Sequence, residues 1–130
     1  EASVQWHATE WWHLSGSYSF LSLELTEVSE GSEGRDPEHQ FSLRSSMNLP
    51  ANVFFDVWGR YVTELSAFNV SGYFDLDVRL AWRPKPQVEI AIVGQNLIEP
   101  ERIEFGPNDY LRTALTAVPR GVYGQLSIRF

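Results

Sequence analysis

Phe74-Asp75-Leu76-Asp77-Val78-Arg79-Leu80-Ala81-Trp82 alternates residue by residue: Phe74, Leu76, Val78, Leu80 and Trp82 fall on one side, and Asp75, Asp77, Arg79 and Ala81, continued by Arg83, on the other. Only the two-residue period of an extended strand sorts side chains in this way; a helix, at about 3.6 residues per turn, would mix the two sets. The same apolar parity is read at Ala2-Val4-Trp6-Ala8, Leu14-Gly16-Tyr18-Phe20, Phe41-Leu43-Met47-Leu49, Val53-Phe55-Val57, Val88-Ile90-Ile92 and Val122-Leu126-Ile128-Phe130. Together these segments predict seven strands. Their opposite parity carries Gln5, His7, Ser42, Arg44, Asn48, Asp56, Arg60, Glu89, Gln95, Gln125 and Arg129, so one face is apolar and the other polar.

The connections alternate in length. Thr9-Glu10-Trp11, Leu49-Pro50-Ala51-Asn52 and Arg83-Pro84-Lys85-Pro86-Gln87 are tight, and proline sets the geometry of the last two. Roughly residues 27–39, 63–72 and 97–118 form long connections rich in Gly, Pro, Asn and acidic residues. All tight turns then share one rim, as in an antiparallel up-and-down transmembrane β-barrel. In this register the chain starts at the long-loop rim and ends at the opposite one. The second strand's parity slips to Leu21, Leu23 and Leu25, where it would leave a bilayer for its loop. Trp6, Trp11, Trp12 and Trp82 lie within a few residues of tight turns, where an interfacial aromatic girdle would place them.

Composition narrows the function classes. A net charge of −7 with no Lys/Arg cluster argues against nucleic acid as a partner. With no cysteine there is neither a disulfide framework nor a thiolate metal site. No apolar run reaches the ~18 residues of a transmembrane helix, and Glu1 to Gln5 lack the features of a signal peptide, so an exported chain would be mature or incomplete. No Gly-x-Ser-x-Gly elbow and no phosphate-cradling glycine loop occurs, and the chain reads as a non-enzyme without cofactor. Folding about Thr9 to Trp11 sets His7 opposite His13, a weak candidate metal pair with no third ligand in sight. Glu24, Glu27, Glu30, Glu33, Asp36 and Glu38 lack calcium-loop spacing and read as solvated loop charge. Arg44, Asp56, Arg60, Asp75, Asp77, Arg79 and Arg83 form a lumen-facing set of mixed sign whose members can satisfy one another across strands.

The terminal stretch Val122-Tyr123-Gly124-Gln125-Leu126-Ser127-Ile128-Arg129-Phe130 resembles an outer-membrane barrel assembly signal, carried by Val122, Gly124, Leu126, Ile128 and the final Phe130. Residues 74–105, FDLDVRLAWRPKPQVEIAIVGQNLIEPERIEF, resemble the penultimate hairpin of TonB-dependent receptors, where a strand ending near Val-Gly-Gln-Asn-Leu precedes the last external loop. His39-Gln40-Phe41-Ser42-Leu43-Arg44 followed by Leu49-Pro50 is similar to that family's barrel strands.

The resemblance implies that residues 1–130 are the C-terminal part of a barrel of about 22 strands in the outer membrane of a Gram-negative bacterium. The plug domain and the N-terminal strands would be absent. Energy-coupled uptake of a scarce ligand, such as an iron chelate, cobalamin or a glycan, would follow, with the remaining strands, the plug, outer-membrane lipid and TonB-type coupling as partners. Ligand contacts would come from the loops around 27–39, 63–72 and 97–118. Two other readings remain open: a soluble lipocalin-like barrel with the apolar face turned inward around a small hydrophobic ligand, and a subunit that contributes strands to an oligomeric barrel.

Overall fold

In the computed structural model, residues 1–22, 36–65, 70–99, 101–103 and 117–130 are described; the backbone alone is described for 101–103. The chain folds as an antiparallel sheet. Seven strands, β1 (Ala2–His7), β2 (Trp12–Phe20), β3 (His39–Leu49), β4 (Val53–Val62), β5 (Tyr73–Lys85), β6 (Val88–Gln95) and β9 (Gly121–Ile128), lie side by side in that order. A separate pair, β7 (Glu101–Ile103) and β8 (Ala117–Pro119), sits within the connection between β6 and β9. Among the described residues there is no α-helix.

Each pair of neighbours in the main sheet is antiparallel, and the opening stretch is central to it. Val53 to Val62 face Trp82 to Tyr73 without a break. β4 ends at Val62, next to the connection expected from about residue 63, and it carries the apolar parity past Val57 to Gly59 and Tyr61. Gly59 interrupts the apolar parity there, and a strand without a side chain at one position is hard to follow by hydropathy. On the far side, β5 meets β6 with a register shift between Trp82 and Lys85, at the proline-containing turn. The sheet is open: β1 and β9 occupy its two edges and do not pair.

Tight turns close one rim as expected. Pro50–Asn52 form a single 3-10 turn in which Ala51 and Asn52 both take positive φ, 61° and 57°. Consecutive left-handed residues give a turn the twist that hairpin strands require. The opposite rim carries the long connections, and these contain more local structure than expected. Leu65 and Val70 exchange backbone hydrogen bonds of 2.9 and 3.3 Å within the 63–72 connection, and the β7–β8 pair lies in 97–118. Leu23, Leu25 and Glu24, Glu27, Glu30 and Glu33 lie outside the described residues.

The Val93-Gly94-Gln95-Asn96-Leu97 corner ends β6 and steers the chain away from the sheet. Asn96 takes φ 50°, a left-handed conformation that Asn tolerates better than most residues. Its backbone N–H donates to Asp77 Oδ1 at 3.0 Å, and its side-chain amide donates to the Val118 carbonyl at 2.8 Å, tying β5 and β8 to the corner. Leu97 N–H then bonds the Leu76 carbonyl at 3.0 Å. Leu97 folds back over Gly94 so closely that a Cβ there would lie 2.9 Å from Leu97 Cδ2. Asn96→Ala should therefore lower stability by about 1 kcal/mol, from one lost hydrogen bond in a buried setting. The urea midpoint of the folded protein reads this directly, and an unchanged midpoint would remove the corner from the account.

Candidate functional site

The register extends the face assignment of Phe74–Trp82 across every strand. Val4 lies beside Gly16, Gly16 beside Leu43, Leu43 beside Gly59, and Gly59 beside Leu76; Leu80 lies beside Ile92, and Ile92 beside Gly124. This apolar face is the exposed one. Leu43 and Ile92 are each 59% exposed and Leu126 64%, and among the described residues no second layer packs over them. On the polar face the pattern inverts, with Ala81 1%, Ala91 2% and Asp75 7% exposed. Within β5 and β6, Leu80, Trp82, Ile90 and Ile92 are exposed while their neighbours Ala81, Ala91 and Val93 are buried. Such an arrangement is inside-out relative to a water-soluble sheet, whose buried face is the apolar one.

Two aromatic rows bound the apolar face. At the short-turn rim, Trp12 packs 6.5 Å from Trp6 and 6.2 Å from Trp11, its indole N–H donating to Ser45 Oγ at 2.9 Å. Trp82 stands beside Val53 and Ile90 near the same rim. At the other rim, Tyr18 lies 4.7 Å from Phe41, Phe41 lies 6.4 Å from Tyr61, and Tyr61 pairs with Phe74. Tyr18 hydroxyl and His39 Nδ1 share a hydrogen bond of 2.9 Å, and Phe20 packs 5.1 Å from the His39 ring. This second row was missed as a row because the apolar parity of β4 was followed only as far as Val57, with Gly59 breaking it before Tyr61; a scan for aromatic residues at one rim of the apolar parity would have found it. Phe74 and Trp82 stand on the two rows of β5, separated by about 26 Å of strand at ~3.3 Å per residue. At a tilt of about 40° that is a height of roughly 20 Å, near the ~25 Å apolar band of a membrane barrel.

The polar face joins most of the mixed-sign residues into one network. Asp56 on β4 accepts from Ser46 Oγ at 2.7 Å and lies 3.4 Å from Arg79 and 3.8 Å from Arg44. Arg79 bridges on to Glu89 of β6, which also pairs with Arg83 at 2.7 Å. Arg83 rests over the Phe54 ring at 4.7 Å. Arg60 and Asp75 form a second pair at 3.1 Å nearer the long-connection rim. Asp77 stands apart from these ion pairs, committed to the Asn96 N–H. The cross-strand spacing of an antiparallel ladder, with residues of opposite charge on facing positions, produces this mutual satisfaction.

His7 and His13 do meet, edge to face with ring centroids 4.6 Å apart on facing positions of β1 and β2. Among the described residues no group of three or more His, Asp or Glu gathers to hold a metal. Val122, Gly124, Leu126 and Ile128 line the apolar parity of β9, and all are exposed. Phe130 lies two residues beyond the end of that strand, so it is not part of the ladder as the alternation suggested; the last backbone bond is from Arg129 N–H to the Gln87 carbonyl, 2.9 Å. A residue that sequence reading passed over is Trp58, which faces the polar side between Arg44 and Asp77 and is 45% exposed. Of the loop residues expected to contact ligand, 27–35, 66–69, 100 and 104–116 lie outside the described residues. Comparison with known protein families, with curated proteins and with solved structures finds no match.

Proposed function

We propose that this chain forms seven adjoining strands in the wall of an outer-membrane β-barrel, with the apolar face toward lipid and the polar face toward the lumen. The observation that carries this reading is the inverted burial of β5 and β6, where Leu80, Trp82, Ile90 and Ile92 are exposed and Ala81, Ala91 and Val93 are covered. In water, exposed apolar surface on this scale is a liability; in a bilayer it is the required surface. Paired charges on the opposite face suit a wet interior, and the two aromatic rows suit the two membrane interfaces.

Open edges at β1 and β9 decide what else is needed. Each unpaired backbone group in hydrocarbon costs several kcal/mol, so further strands must complete the wall. Seven is odd, and β1 and β9 run in the same direction. A ring of identical copies sharing one membrane orientation would therefore place a parallel pair at every joint. An all-antiparallel wall instead needs an odd number of additional strands, which favours a larger barrel over an oligomer of this sheet. Within that reading, the likeness of residues 74–105 to the penultimate hairpin of TonB-dependent receptors supports energy-coupled uptake of a scarce solute, with the coupling supplied through a plug.

The test is fractionation of the native protein followed by its intact mass. Recovery in outer membranes, release only by detergent and a mass well above 14.9 kDa are expected; a soluble monomer of 14.9 kDa would overturn the reading.

A further inference from the structure

Trp58 is out of place on the polar face. Around it the exposed polar positions are hydroxyls, amides and charges, yet a large indole stands 45% exposed among them. Its facing residues are Arg44 on β3 and Asp77 on β5 rather than apolar ones, and the Arg60 guanidinium lies over its ring. Gln5 and Ser15 continue the same cross-strand row, since Gln5 faces Ser15 and Ser15 faces Arg44. The row thus reads Gln5, Ser15, Arg44, Trp58, Asp77 across five strands, with the indole flanked by hydrogen-bonding groups.

A concavity of about 460 Å³ adjoins this row, and its polar lining is Glu1, Gln40, Arg60 and a run of serines that includes Ser3, Ser17 and Ser42. Two of these lining residues also border Trp58. Ser42 lies next to it diagonally across the β3–β4 ladder, and the Arg60 guanidinium is 5.8 Å from the indole centroid. Hydroxyl and amide side chains dominate its polar lining, Glu1 adds a carboxylate, and the cations at hand are already engaged. Arg60 pairs with Asp75, Arg44 lies near Asp56, and Asp77 accepts the Asn96 N–H.

From this geometry we infer that Trp58 is a stacking platform for a neutral oligosaccharide, whose next unit occupies the concavity at Ser42 and Arg60. A pyranose ring has an apolar C–H face and a rim of hydroxyls. The indole takes the C–H face, because a flat aromatic body offers large contact area with little rotamer entropy to lose. Arg44, Asp77, Ser42 and Gln40 take the rim, each able to exchange hydrogen bonds with hydroxyls while keeping its present partner. An anionic chelate or a phosphate ester would instead call for cationic groups in excess of their counter-charges, and the paired arginines here do not supply that excess. Specificity then arises from a few placed polar groups around an aromatic surface, as at other small-ligand sites.

The inference rests on the polar face being a lumen, and its test separates the two. Native protein is extracted from membranes in detergent, and binding of maltotriose, xylotriose and triacetylchitotriose at millimolar concentration is followed by tryptophan fluorescence and by calorimetry. At least one trisaccharide is expected to bind; Trp58→Ala should weaken that binding by about tenfold or more, the equivalent of ~1.4 kcal/mol. Trp58→Phe should retain part of the affinity, and Trp11→Ala at the rim should leave it intact. Membrane-embedded protein that binds none of the three trisaccharides, or whose Trp58→Ala variant binds as the native protein does, overturns the platform while leaving the barrel reading in place. Protein that is not in the membrane fraction overturns the barrel reading itself.

Discussion

Ile92→Arg is expected to cost the protein about 1–2 kcal/mol in the membrane, between the ~2–4 kcal/mol of an arginine on the lipid face at mid-depth and the ~0–1 kcal/mol near an interface, because Ile92 faces Leu80, one apolar position inside the Trp82 row. Ile92 is at the middle of β6, four residues from Val88 and three from Gln95, flanked by Leu80 and Gly124 and 59% exposed. Among the described residues nothing packs over it that could accept a hydrogen bond from a guanidinium, and to reach the headgroups the side chain must snorkel past the Trp82–Ile90 pair. Water would produce the opposite behaviour. An exposed isoleucine replaced by arginine on a soluble sheet changes stability by about 0.5 kcal/mol or less. The sign and size of this single change therefore report which medium covers the face. Gln125→Arg on the polar side of neighbouring β9 is the control, and it should leave stability nearly unchanged. Urea titration of the protein folded into phospholipid vesicles, followed by gel mobility without heating, measures both. An Ile92→Arg variant as stable as the native protein would remove lipid from the apolar face.

Arg79→Met is the second large effect, expected at about 2 kcal/mol. Arg79 is the bridge of the polar network, lying between Asp56 on β4 and Glu89 on β6, and its side chain is 31% exposed. Deleting it leaves two carboxylates, on the strands either side of β5, with less positive charge between them. A fully buried pair broken in this way costs about 3–5 kcal/mol, and the partial exposure of all three groups lowers the figure by solvent screening. Arg83 still holds Glu89 and Ser46 still donates to Asp56, which limits the loss further. A double-mutant cycle with Glu89→Gln isolates the pair: the two changes together should cost less than their sum by about 1 kcal/mol. Additive effects would show that the three groups act independently and that the network is only a proximity of charges.

The fold was legible in the sequence wherever one residue in two was apolar and the next was not. Phe74 to Trp82 needed no partner strand to reveal its period, because alternation is a property of the extended backbone itself. Tight and long connections were legible for a similar reason: Pro50, Pro84 and Pro86 restrict φ locally, whatever the chain does elsewhere. Where a side chain was missing, the signal failed. Gly59 broke the apolar parity of β4 before Tyr61, so the aromatic row at the long-connection rim went unseen.

Partnership across strands lies beyond alternation. The pairing of Arg79 with both Asp56 and Glu89, the meeting of His7 with His13, and the isolation of Asp77 in the Asn96 corner depend on register, which is set jointly by turn geometry and by which faces can be covered. Phe130 shows the converse. Its parity matched β9, yet the ladder ends at Ile128, because a strand lasts only as long as its neighbour β6 offers backbone groups to pair. Alternation also says that two faces differ without saying which is covered. That Ala81, Ala91 and Val93 are hidden while Leu80, Ile90 and Ile92 stand exposed emerges only when β4, β5, β6 and β9 lie together, since burial is a property of neighbours in space and not of neighbours in the chain.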